Sequence, residues 1–131
     1  MAFQPESELT AEEAAERVEE ALSENDVVLF MKGNRLMPQC GYSKRALGLI
    51  SQHVEEFATV DVLPALPEYR AALEDVSGWE TIPQTFVDGE FVGGSDILAE
   101  LDERGELAET LNADADAVVD DDGGSGPEAP F

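Results

Sequence analysis

The sequence predicts an α/β domain with a small four-stranded mixed sheet flanked by helices. Three observations carry this. A buried-strand run, Val27-Val28-Leu29-Phe30-Met31, is followed by a helical stretch from Gly41 to His53 and a second strand-like run from Phe57 to Val62. That strand–helix–strand order makes a parallel pair with a right-handed crossover. Further on, Asp88-Gly89 joins two β-prone runs, Gln84 to Val87 and Glu90 to Val92, which is the strongest short hairpin signal. Finally, 131 residues with 43% apolar content suit one packed domain.

The elements follow in order. Residues 1–8 read as an N-terminal arm, 9–112 as the domain, and 113–131 as a disordered acidic tail. Thr10 and Glu13 have the spacing of a capping box. Behind them Ala11, Ala14, Ala15, Val18, Ala21 and Leu22 form one apolar stripe. Val27 to Met31 is short and wholly apolar, as a central strand is. Gly33 to Gln39 is a loop. The next helix turns Ala46, Leu49 and Ile50 inward, and a third helix spans Pro64 to Val76. After the hairpin, Ser95 or Asp96 caps a fourth helix, and a last helical stretch covers Glu106 to Leu111. The tail holds Asp114, Asp116, Asp120, Asp121, Asp122 and Glu128 with no base, and its Gly-Gly-Ser-Gly-Pro stretch cannot hold a helix.

Charge narrows the function. Thirty acidic residues against seven basic ones give −23. This argues against nucleic acid and against anionic membrane surfaces. Glu12, Glu16, Glu20 and Glu24 repeat at i, i+4 on the first helix. Like charges at that spacing cost about 0.2–0.5 kcal/mol each, and molar salt screens them. The pattern therefore predicts a halophilic protein. Met1 to Glu6 has neither the basic start nor the apolar core of a secretory signal. No apolar run approaches the roughly 20 residues of a membrane helix. One cysteine forms no internal disulfide, and a reduced, cytoplasmic setting is expected.

That cysteine, Cys40, falls where a strand has ended and a helix begins. Unpaired N–H groups and the helix dipole favour a thiolate there. Lys32, Arg35, Lys44 and Arg45 surround it in sequence and suit an anionic ligand. In Cys40-Gly41-Tyr42-Ser43 a serine stands where a redox pair would have a second cysteine. Disulfide exchange at Cys40 must then finish with an outside thiol. Thr81-Ile82-Pro83, just before a strand, is a candidate cis-proline turn whose backbone could pair with an extended ligand. His53, late in a helix, reads as structural, and Tyr69 and Trp79 as packing.

Through Phe30-Met31-Lys32-Gly33, Pro38 to Ser43, Trp79 to Gln84 and Gly89 to Asp96, in that order along the chain, residues 8–112 resemble the monothiol glutaredoxins. These are the Cys-Gly-Phe-Ser class of the thioredoxin-like (glutaredoxin) fold. The resemblance implies that Cys40 is the active thiol and a cluster ligand. It implies that Lys32, Gln39 and Arg70 hold the glycine carboxylate of glutathione, and that Ile82 before Pro83 pairs with its cysteinyl part. Gly94, Ser95 and Asp96 then bind the γ-glutamyl end, with Tyr42 beside the thiol. Glutathione is the family's thiol, and γ-glutamylcysteine is the alternative for a salt-adapted chain. Three departures stand out: Tyr42 for the usual Phe, Glu80 where Pro is common, and Ser95 where many members carry a second Cys.

A [2Fe–2S] cluster takes four thiolates, and one chain offers one. The resemblance implies a homodimer that bridges the cluster through two Cys40 side chains and two small thiols, and passes it to iron–sulfur client or scaffold proteins. The alternative is a thiol–disulfide oxidoreductase that removes glutathione caps through Cys40.

Overall fold

The computed structural model describes residues 8–112. The acidic tail, and the N-terminal arm apart from Glu8, lie outside the described residues. The elements are α1 (Ala11–Glu24), β1 (Val27–Met31), α2 (Gly41–Ser51), β2 (Ala58–Asp61), α3 (Leu66–Ser77), β3 (Gln84–Val87), β4 (Glu90–Gly93), α4 (Ser95–Glu103) and α5 (Leu107–Thr110), with a 3-10 turn at Leu63–Ala65.

The sheet order is β2-β1-β3-β4. β1 pairs parallel with β2 and antiparallel with β3, and β3 pairs antiparallel with β4. The sheet is therefore mixed, as the sequence predicts. Strand alternation sends side chains to two cores. Val28, Phe30 and Phe86 meet Val18 of α1 and Tyr69 and Leu73 of α3. Leu29 and Met31 meet Ala46 and Ile50 of α2, Leu98 of α4 and Leu107 of α5. All of β1 is buried because helices cover both of its faces. The rings of Phe30 and Phe86 pack edge to face at 5.6 Å.

α1 starts with the expected box. Thr10 Oγ1 accepts from the Glu13 N–H at 3.1 Å, and Glu13 Oε1 accepts from the Thr10 N–H at 2.9 Å. Its buried stripe is narrower than expected: Ala14 and Val18 are buried, Ala21 and Leu22 half-buried, Ala11 and Ala15 exposed. Glu12, Glu16, Glu20 and Glu24 all face solvent.

Several boundaries differ from the sequence expectation. α2 ends at Ser51, where the Gln52 and His53 N–H groups both reach the Ile50 carbonyl and tighten the last turn. His53 lies beyond the helix, its Nε2 3.2 Å from Asp102 Oδ1, so it ties the end of α2 to α4. Pro64 sits inside a 3-10 turn that Leu63 opens, not at the start of the third helix, because Asp61 Oδ1 captures the Leu63 N–H at 3.0 Å. α3 begins at Leu66 and stops at Gly78, whose φ of 82° suits glycine. The expected Ser95 or Asp96 cap is corrected to Gly94. Gly94 is extended, Ser95 is the first helical residue, and no side chain caps α4.

Candidate functional site

Cys40 is the N-cap of α2, in an extended conformation (φ −150°, ψ 135°) and half-buried. The preceding loop is closed on itself. Gly33 pairs with Pro38, and the Gln39 N–H reaches the Lys32 carbonyl at 2.9 Å. Asn34 Oδ1 accepts from the Leu36 and Met37 N–H groups, both at 2.9 Å. Gly33 has φ 89°, and a Cβ there would lie 2.4 Å from the Met37 carbonyl oxygen, so the loop admits glycine alone. Closing it this way pushes Leu36 and Met37 into solvent, at 92% and 64% exposure.

Ser43 does more than replace a cysteine. It is fully buried, and its Oγ accepts from the Lys32 N–H at 3.0 Å. Burial pushes the Cys40 thiol up. The backbone N–H groups of Ser43 and Tyr42, the Ser43 hydroxyl and the Lys32 ammonium outweigh that, and hold it below the ordinary thiol value.

The other cations named from sequence are arranged differently. Arg35 turns away: its guanidinium donates to the Phe57 carbonyl and lies 4.3 Å above the Phe57 ring. Arg45 points to α4, with Nη1 3.8 Å from Asp96 Oδ1. Lys32 is the cation that acts on the thiol. Nearness in sequence does not fix direction in space.

Beyond α2 a groove of about 600 Å³ opens between the Trp79–Pro83 segment and the Phe91–Ile97 segment. The Ile82–Pro83 bond in its wall is cis, as the sequence suggests. Six of the residues singled out from sequence line this groove: Tyr42, Ile82, Pro83, Gly94, Ser95 and Asp96. Lys32 and Gln39 gather with Cys40 at the closed loop instead. Arg70 is half-buried on α3; it neither lines the groove nor acts on the thiol. Gly93 and Gly94 keep the far wall thin. A Cβ on Gly93 would meet Ile97 Cβ at 2.6 Å, and one on Gly94 would lie 3.1 Å from the Pro83 carbonyl.

Three site features escaped the sequence reading. Trp79, which the sequence predicts to pack, is 59% exposed and lines the groove. Its place beside Thr81-Ile82-Pro83 was the available signal. Gln84 supports that segment from below, donating Nε2 to the Trp79 carbonyl at 2.7 Å. Asp61 also accepts from the Gly33 N–H at 2.9 Å and so anchors the thiol loop to β2. Tyr69 does pack, at 2% exposure.

Among the described residues no cluster of three or more His, Cys, Asp or Glu could hold a metal ion. No helix among them is long and apolar enough to cross a membrane.

A mixed sheet in this order, with one thiol at the start of the helix after β1 and a cis proline before β3, defines a thioredoxin-like protein. The glutaredoxin family model matches residues 27–92. The chain is 46% identical over 99 residues to an uncharacterized monothiol glutaredoxin (ycf64-like) of Synechocystis sp., covering 76% of this chain and 92% of that one. It is 41% identical over 100 residues to glutaredoxin 4 of Escherichia coli, covering 76% and 86%. Among solved structures it resembles a buckwheat glutaredoxin–glutathione complex, with a TM-score of 0.67, 26% identity, and 78% and 90% coverage. The chain belongs to the glutaredoxin family, as one of its monothiol members.

Proposed function

We propose that this glutaredoxin carries a [2Fe–2S] cluster as cargo, shared between two chains. The observation that carries the reading is the pairing of a single half-exposed Cys40 with a buried, hydrogen-bonded Ser43. The protein has one thiolate to offer and no internal thiol to compete for it. Four thiolates are needed, so two chains and two small thiols complete the set. Cys40 is suited to ligation because it is held toward its thiolate form. The groove beside it is open and apolar-walled, and gives a small thiol a place to lie. The glutathione named in the buckwheat complex supports that choice of ligand, with γ-glutamylcysteine as the close relative.

In this reading Lys32, Gln39 and Arg70 meet the glycine end of glutathione, and Ile82 before Pro83 aligns its backbone with the cysteinyl part. Tyr42 flanks the sulfur. Gly94, Ser95 and Asp96 take the γ-glutamyl end at the uncapped start of α4. External thiol ligands make the cluster easy to release, which suits delivery to iron–sulfur client or scaffold proteins. The acidic surface fits a salty, reduced cytoplasm. A thermal midpoint that rises from low salt to molar KCl would support this, and a flat or falling one would count against it.

Anaerobic reconstitution with iron, sulfide and glutathione tests the central reading. The expected product is a coloured dimer, absent in Cys40→Ser. A colourless product with Cys40 intact overturns it.

A second reading is favoured by the lowered thiol. The Cys40 thiolate attacks the glutathione sulfur of a mixed disulfide and expels the protein thiolate. A second glutathione thiolate then attacks the Cys40–glutathione bond, restoring Cys40 and releasing glutathione disulfide. Rapid turnover of a glutathionylated protein, lost in Cys40→Ser, would favour it.

A further inference from the structure

We propose that Gln84 is a positioning residue of the groove. Its buried amide holds the Trp79 carbonyl and thereby fixes where the Trp79 ring stands against a small thiol loaded on Cys40. The proposal rests on the reading that the groove holds such a thiol.

The Trp79 wall is held by its backbone. Trp79 is 59% exposed, and Glu80 and Thr81 beside it are exposed as well. Packing therefore does little to place this stretch, although Trp79 and Thr81 both line the groove. Two side chains fix Trp79 instead. Its N–H donates to Ser77 Oγ, at the end of α3, at 3.0 Å. Its carbonyl accepts from Nε2 of Gln84, the first residue of β3, at 2.7 Å. Ser77 Oγ also lies 3.2 Å from that carbonyl, but a hydroxyl has one hydrogen, and the Leu73 carbonyl is nearer at 2.9 Å. Gln84 is thus the donor that ties the wall to the sheet. Its bond closes the stretch from Trp79 through the cis Ile82–Pro83 bond onto the start of β3.

Folding alone does not call for an amide at this position. Gln84 is 1% exposed, and its Oε1 has no hydrogen-bond partner. A buried amide left half-satisfied is unfavourable, and an apolar side chain of similar size would fill the position with less penalty. Thr85 makes the comparison. It is fully buried, and its Oγ1 also lacks a partner. Alternation along β3 turns it to the other face of the sheet, and it makes no bond to the wall. Of these two buried polar neighbours, Gln84 is the one that reaches the groove.

The test reads the wall and the thiol separately. Trp79 is the chain's single tryptophan, so its fluorescence anisotropy reports the wall alone. Loading is read by mass spectrometry. The Cys40 thiolate attacks glutathione disulfide, one glutathione stays bound through the new disulfide, and the other leaves as thiolate. Gln84→Met keeps the size and removes the donor. It should lower the Trp79 anisotropy and lower glutathione loading about two- to ten-fold, the range of one hydrogen bond. The melting midpoint should not fall. The rate of Cys40 alkylation by iodoacetamide should not change, because Gln84 is not among the groups that act on the thiol. Thr85→Val should match wild type in anisotropy and loading. Ser77→Ala, which frees the Trp79 N–H, should move both in the direction of Gln84→Met. Wild-type anisotropy or wild-type loading in Gln84→Met overturns the role given to Gln84, and so does a loss of loading matched by an equal loss of alkylation. Should Gln84→Met fail to fold, Ser77→Ala decides, and unchanged anisotropy and loading there overturn the proposal. A wild type that loads the disulfide of mercaptoethanol as well as that of glutathione overturns the groove reading itself, and the anisotropy then decides alone whether Gln84 holds Trp79.

Discussion

The start of α1 and the starts of α2 and α4 solve the same problem in opposite ways. Every helix leaves its first N–H groups without partners inside the helix. At α1, Thr10 and Glu13 satisfy them reciprocally, and the end is closed. At α2 the cap is Cys40, which makes no side-chain cap, and at α4 it is Gly94, which has no side chain to give. The two open starts flank the groove; the closed one packs on the opposite face of the sheet, against α3. Stability is served where the donors are used up locally. Beside the groove they are left open, where the proposed function puts a thiolate and a carboxylate.

The largest effect that sharpens this contrast is at the thiol. Cys40→Ser should abolish both cluster assembly and exchange, read by visible absorbance and by turnover of a glutathionylated protein. Ser43→Ala should come next. It removes the Oγ that accepts from Lys32 and supports the thiolate. The thiolate absorbance near 240 nm should then titrate at higher pH than in wild type. The Lys32 N–H, left without that acceptor, should lower stability by about 1–3 kcal/mol, read by urea unfolding. A titration that stays put would contradict the role given to Ser43.

Thr10→Ala gives the matching test at the closed start. It should cost about 1 kcal/mol of stability and leave the alkylation rate of Cys40 unchanged. A change in that rate would break the separation between the two kinds of helix start.

The smallest effect is in pH. Cys40 is lowered in the folded protein relative to an unfolded thiol near pH 8.5. A lowered group stabilises the fold fully above its unfolded value, and that contribution fades as pH falls through the folded value. The stability of wild type relative to Cys40→Ser should therefore grow from neutral pH toward pH 9. A difference that shrinks over that range would contradict the direction of the shift.

Much of this was legible from sequence where local rules and tertiary packing agree. Thr10-x-x-Glu13, the apolar run Val27 to Met31 and the Asp88-Gly89 turn each fix an element alone, and the structure places all three as expected. The misses share a cause: a side chain that bonds a backbone group to which hydrophobic pattern gives no clue. Asp61 draws Leu63 into a 3-10 turn and also grips Gly33, and no periodicity reports such a bond. Arg35 abandons the cysteine for Phe57 because ring and carbonyl meet it there together. Six groove residues were found because motif order placed them near one another. Trp79 depended on direction, which a motif does not carry.

The central claim is that one thiol per chain, with a borrowed small thiol beside it, holds a cluster between two copies. The most direct measurement is size-exclusion chromatography of the reconstituted protein with iron, sulfide and glutathione assayed in the same fractions. The account predicts a dimer with one [2Fe–2S] cluster and two glutathiones, which falls to a colourless protein when glutathione is removed. A coloured species that forms without any small thiol, or one that elutes as a monomer, would contradict it.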